Sequence, residues 1–139
     1  VKNRPKIDGI IFSDRGEAAG FMAVDWVQRA LRSKLGFAPF PATLNLRPKA
    51  EPDAGAWETL QRELNPIELM PTESGFCAAH LFLVNISRPG AGGLTVRGAV
   101  LLPEVPNYPK DKIEVVAPMR LKDQWGVSDG DQLTLEFVN

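Results

Sequence analysis

Thr43 and Asn45 stand two residues apart at the end of the run Leu35-Gly36-Phe37-Ala38-Pro39-Phe40-Pro41-Ala42-Thr43-Leu44-Asn45-Leu46. On a strand, side chains two apart point to the same face. The pair therefore presents a hydroxyl and an amide carbonyl together, two neutral oxygen donors suited to a hard cation such as Mg²⁺. Gly36 can take the positive φ that closes a helix, and Pro39 and Pro41 stiffen the approach. A surface turn whose polar side chains only hydrogen-bond nearby backbone fits the same residues.

Other chemistry-bearing residues are sparse. His80 is the single histidine and sits in the apolar run 76–86, where a satisfied strand histidine is expected. Cys77, the single cysteine, lies in the same run and reads as a buried, inert thiol. It cannot form an internal disulfide, which fits a reducing, cytoplasmic compartment. With no Cys or His cluster there is no zinc pattern. The Gly-x-x-x-x-Gly-Lys-Ser/Thr loop, the dinucleotide fingerprint and the Gly-x-Ser-x-Gly elbow do not occur.

The elements that must position these groups are short. The chain has 139 residues, enough for one domain with a core, and twelve prolines and twelve glycines that imply many turns. Strands are expected at 6–12, 21–24, 44–46, 67–70, 76–86, 94–102, 112–116 and 132–138. Ser13 to Gly20 reads as a polar loop and Gly90 to Gly93 as a hairpin turn. Two helices are expected: one from an Asp25 cap to Leu35, burying Val27, Ala30, Leu31 and Leu35, and one from an Asp53 cap to Leu64. Residues 118–125 have room for a further helical turn. Trp26, Trp57 and Trp125 read as packing residues. This pattern is a β-rich α+β barrel rather than a doubly wound sheet. A net charge of −1 gives no polyanion surface, so nucleic acid is not an expected partner. No apolar run is long enough for a membrane span, and residues 1–6 lack a secretion signal. The start at Val1 without Met suggests a trimmed or processed terminus.

The run 35–46 resembles the signature Leu-Gly-Phe-x-Pro-x-x-Gly-Thr-Leu-Asn of the CTP-dependent, archaeal-type riboflavin kinases. The similarity continues at Gly98-Ala-Val-Leu-Leu-Pro103, at Tyr108-Pro-Lys-Asp-Lys-Ile-Glu114-Val-Val-Ala-Pro118 and at Asp129-Gly130-Asp131, in order across nearly the whole chain. The resemblance implies a single cradle-loop β-barrel domain over residues 1–139, with two short helices. It implies Mg²⁺-dependent phosphoryl transfer from CTP to riboflavin, giving FMN and CDP, with the sugar-phosphate tail inside a closed β cage. By the same resemblance, Thr43 and Asn45 hold Mg²⁺, and Asp14, Arg15, Gly16, Glu17, Ala18 and Ala19 cradle nucleotide phosphates. Met119, Arg120, Leu121 and Lys122 lie against the nucleotide. Pro106, Asn107 and Glu114 meet the flavin, with Glu114 the catalytic carboxylate that orients the ribityl hydroxyl or takes its proton. A solvent-facing strand Glu is the plain alternative there, and an ordinary β-turn loop is the alternative for 13–20.

Several positions depart from the pattern. Asp14 and Ala18 stand where the family has glycines, and Ala42 replaces the Gly before Thr43. Glu104 and Val105 replace basic residues, and Pro106 replaces a Thr. Lys122 replaces an Arg and so loses the bidentate fork. A carboxylate at Asp14 repels phosphate unless it is turned away or paired, and Arg15 is one cation that could compensate. These departures leave two other readings open: a flavin- or nucleotide-binding regulatory protein without turnover, and a kinase with another nucleotide or acceptor. Oligomeric state is not legible.

Overall fold

The computed structural model describes residues 4–14, 16–90 and 92–138, and of Glu17 and Ala18 the backbone alone. Strand β1 (Lys6–Phe12) alternates, burying Ile7, Gly9 and Ile11 on one face. It pairs antiparallel with β2 (Leu44–Pro48) on one side and β7 (Gln132–Phe137) on the other. Beyond β2 come β6 (Ile113–Val116), β5 (Val96–Pro103) and β4 (Ala79–Ser87), each antiparallel to its neighbour. The far half of β4 pairs with β7, from Val84↔Phe137 to Ser87↔Thr134, and this closes a six-stranded barrel. Its near half also carries β3 (Ile67–Leu69), outside the closure.

The barrel interior is filled by side chains. Ile7, Ile11, Leu46, Phe82, Val84, Val100, Ile113, Val115, Leu133, Leu135 and Phe137 form one cluster. Helix α3 (Glu51–Glu63) adds Trp57, whose ring stacks on Phe137 at 5.7 Å and meets Phe82 edge-on at 5.4 Å. The opposite face of β3, β4 and β5 is also apolar, because Leu69, Ala79, Leu81, Ala99 and Leu101 alternate with the interior set. Helices α1 (Glu17–Met22) and α2 (Asp25–Leu35) cover that face with Met22, Trp26, Val27 and Leu31. A short α4 (Leu121–Trp125) follows β6.

The barrel class stands as expected, with four helices among the described residues rather than two. The extra long-range difference is α1. Residues expected as a loop followed by a strand at 21–24 are helical from Glu17, because Phe21 and Met22 must meet Trp26 and Phe76 across the α1–α2 corner. Neither expected aspartate cap forms. Val24 and Ala50 occupy the N-cap positions without side-chain bonds. Asp53 instead accepts the backbone N–H of Asp8 at 2.9 Å, tying α3 to β1. Gly36 does close α2, at φ 81° with its N–H on the Arg32 carbonyl. Gly90, Gly92 and Gly93 take positive φ in the β4–β5 connection, and Ala91 lies outside the described residues.

Candidate active site

Cross-strand registers place one row of residues side by side. Phe12 pairs with Asn45, Asn45 with Glu114, Glu114 with Leu101, and Leu101 with Leu81. Directly opposed residues of antiparallel strands share a face. Asn45 and Glu114 therefore stand together, on the face opposite to Leu46, Ile113 and Val115, which fill the barrel. Two polar side chains thus interrupt an apolar row, and both are buried, at 8% and 4% exposure. The pair sits outside the filled interior, so the expectation of a site inside the β cage is corrected. The interior is occupied by the apolar cluster.

Glu114 is held from two directions. The Thr43 hydroxyl donates to Oε1 at 3.0 Å, and the Tyr108 phenol donates to Oε2 at 2.5 Å. Glu114 is therefore not the solvent-facing strand residue of the plain alternative. Burial, then the bond to Glu114, then the charges of Glu114 and Asp14 push the Tyr108 pKa upward, so Tyr108 remains a neutral donor. The approach to Thr43 is pinned where Phe40 N–H donates to the Ala117 carbonyl at 2.8 Å. Asn45 Oδ1 is buried without a hydrogen-bond partner.

Asp14 is paired, by Lys112. The Lys112 ammonium lies 2.6 Å from Asp14 Oδ2, and the Gly16 N–H donates to Oδ1 at 2.8 Å. The Lys112 and Gly16 bonds, with help from the Asn45 amide, hold the Asp14 carboxyl below the usual carboxylate range against some burial. Lys112 Nζ also lies 5.9 Å from the Tyr108 ring centroid.

Two cavities take their linings from neighbouring residues of this row. The first, about 200 Å³, is lined by Phe12, Asp14, Gly16, Phe40, Thr43, Asn45 and the segment Met119 to Lys122, among others. The second, about 370 Å³ and more apolar, is lined by Phe21, Cys77, Leu101, Pro106, Asn107, Tyr108, Lys112 and Glu114, among others. Thr43 and Asn45 face the first, Glu114 the second, and the Thr43–Glu114 bond joins the two sides.

Most residues singled out in the sequence come together here. Asp14, Gly16, Thr43, Asn45, Met119, Arg120, Leu121 and Lys122 line the first cavity, and Pro106, Asn107 and Glu114 the second. Ala19 is exposed in α1 and lines neither. Arg15 and the side chains of Glu17 and Ala18 lie outside the described residues. Helix α1, starting at Glu17, replaces the cradle loop expected to continue to Ala19. Arg120 turns to Asp123 at 2.6 Å, while Lys122 reaches Ser13 at 3.2 Å and Asp129 at 3.3 Å.

Cys77 corrects another expectation: it is exposed and lines the second cavity, because β4 begins only at Ala79. His80 is satisfied as expected, 2.6 Å from Glu104. Tyr108 and Lys112 were not singled out in the sequence. Lys112 was findable, standing two residues before Glu114 and so expected on the same face.

The family model of the CTP-dependent riboflavin kinase domain, described as a domain of unknown function, DUF120, matches residues 11–137. Among curated proteins, the chain is similar to the riboflavin kinase of Aeropyrum pernix, 35% identical over 95% of both chains. It is 34% identical to the riboflavin kinase of Pyrobaculum calidifontis, over 94% of this chain and 59% of that protein. The riboflavin kinase of Archaeoglobus fulgidus is 33% identical over 96% of this chain and 54% of its own length. The chain thus spans less than two thirds of the length of two of these three relatives. With a match across the barrel and both cavities, the chain belongs to the CTP-dependent riboflavin kinase family.

Proposed function

We propose that this chain transfers the terminal phosphoryl group of CTP to riboflavin, giving FMN and CDP. The observation that carries the reading is the hydrogen-bonded chain from half-buried Thr43 through buried Glu114 to half-buried Tyr108, which links residues of two cavities, with the unpartnered Asn45 Oδ1 beside it. The first cavity, bordered by Gly16 and Lys122, suits a nucleotide; the larger, more apolar second cavity suits a flavin ring.

The donor set fits Mg²⁺. Asn45 offers an orphaned carbonyl oxygen, and Thr43, whose hydroxyl donates its hydrogen bond to Glu114, keeps its oxygen lone pairs to offer. Thr43 and Asn45, two neutral donors, would hold the ion weakly alone and would need nucleotide phosphate oxygens to complete its ligand set. When bound, it neutralises charge on the phosphate oxygens.

The chain's own residues position the reactants. Glu114, fixed by Thr43 and Tyr108, retains lone pairs to accept the proton of the terminal ribityl hydroxyl. That oxygen bonds to the γ-phosphorus, the bond from γ-phosphorus to the bridging oxygen breaks, and CDP departs with the electron pair. Tyr108, a neutral donor, keeps the carboxylate aimed through the reaction.

The test is incubation with riboflavin, Mg²⁺ and each of CTP, ATP, GTP and UTP, followed by chromatography for FMN. FMN is expected with CTP. Thr43→Ala and Asn45→Ala are expected to lower the rate about a hundredfold or more, with unchanged circular dichroism. Saturable flavin or CDP binding without FMN from any nucleotide would point to a binding protein instead.

A further inference from the structure

We infer that the Lys112 ammonium is the positive charge that meets the phosphoryl group as it passes between the two cavities, with Asp14 as the latch that holds it there. The inference deepens the proposed reaction and rests on it. Lys112 lines the second cavity and its partner Asp14 lines the first, so the 2.6 Å pair spans the boundary the phosphoryl group must cross. The Lys112 side chain is 16% exposed, and its Nζ lies over the ring of Tyr108, which donates to Glu114.

Among the described residues, the two cations lining the first cavity pair with carboxylates outside both linings, whereas the Lys112–Asp14 pair joins one lining to the other. Arg120 turns to Asp123, and Lys122 to Asp129 and Ser13. The segment before Tyr108 reads Glu104-Val105-Pro106-Asn107 and offers no cation. A transferring phosphoryl group spreads negative charge over three oxygens. A fixed positive charge in a partly buried site stabilises it more than one in water does. An ammonium carries three donors, so it can hold Asp14 and a phosphate oxygen together.

The consequence is selective: Lys112 recognises the phosphate of FMN and ignores riboflavin. Flavin fluorescence titrations would measure both affinities on the wild type, Lys112→Met, Lys112→Arg and the double variant Asp14→Asn/Lys112→Met. The double variant removes the charge pair as a unit, leaving no carboxylate unpaired. FMN affinity is expected to fall about tenfold to a hundredfold in both Met variants, with riboflavin affinity within about twofold. Lys112→Arg should recover most of the loss. In turnover, kcat should fall about tenfold to a hundredfold while KM for riboflavin stays within about threefold.

A stably folded double variant that binds FMN as the wild type does would overturn the inference. So would unchanged kcat in Lys112→Met. If the wild type makes no FMN from any nucleotide yet needs Lys112 to prefer FMN, the reaction reading falls and the phosphate contact stands. A wild type that binds neither flavin overturns both.

Discussion

Glu114 accepts from two hydroxyls, and the Tyr108 bond makes it sensitive to a single oxygen. Tyr108→Phe leaves a buried carboxylate oxygen short of a donor, which should cost about 1–3 kcal/mol. Tyr108 also gives an alkaline signature. Its pKa is raised in the folded chain, so its contribution to stability is complete below the unfolded value of 10.0 and is lost as pH rises above it. Chemical denaturation from pH 8 to pH 11 should show stability falling on the alkaline side, and falling less in Tyr108→Phe. Because Tyr108 is the only tyrosine, phenolate absorbance reports this group alone. Phenolate appearing near pH 10 with native circular dichroism would contradict the account. At this scale the pairing of Thr43 with Asn45 was legible from their spacing, although Thr43 stands one residue before β2 begins. The reach of Tyr108 was not, because it comes from the loop after β5 and only the folded path brings its hydroxyl to Glu114.

At the scale of elements, β5 must pass close to the end of β6. A Cβ on Gly98 would lie 2.4 Å from the Val116 carbonyl oxygen and 2.7 Å from Ile86 Cδ1. Gly98→Ala should therefore cost about 1–3 kcal/mol in denaturant melts and displace β6, which carries Glu114. Gly55→Ala is the contrasting case. Gly55 lies inside α3 with open space around its Cβ position, so the change should stabilise by about 0.5–1 kcal/mol. If both variants melt alike, the close approach at Gly98 is not what constrains the sheet. Strand positions were readable because inward and outward residues alternate, as along β4 and β7. Helix α1 was not, being a single six-residue turn-and-a-half whose stability comes from tertiary contacts of Phe21 and Met22. The aspartates at 25 and 53 misled for a related reason: a cap-favouring residue type does not show where the helix begins, and Asp53 bonds across to β1.

For the whole molecule, the cross-strand neighbours Asn45 and Glu114 line one cavity each, so on the proposed reaction ligands in the two cavities should sense each other through this pair. Calorimetric titration should show saturating CDP with Mg²⁺ changing riboflavin affinity. Riboflavin should change CDP affinity by the same factor, as linkage requires. Strictly independent affinities would argue against coupling through this pair. No helix among the described residues is long and apolar enough to cross a membrane.

The adjacency of Asn45 and Glu114 is set by the spacing of paired strands, about 4.7–4.9 Å, and not by loops. On the proposed reaction, donor selectivity and chemistry are therefore separable for an engineer. Randomising the rim at Met119 to Lys122, while leaving strands β2 and β6 untouched, should retune which nucleotide is accepted without dismantling the transfer geometry.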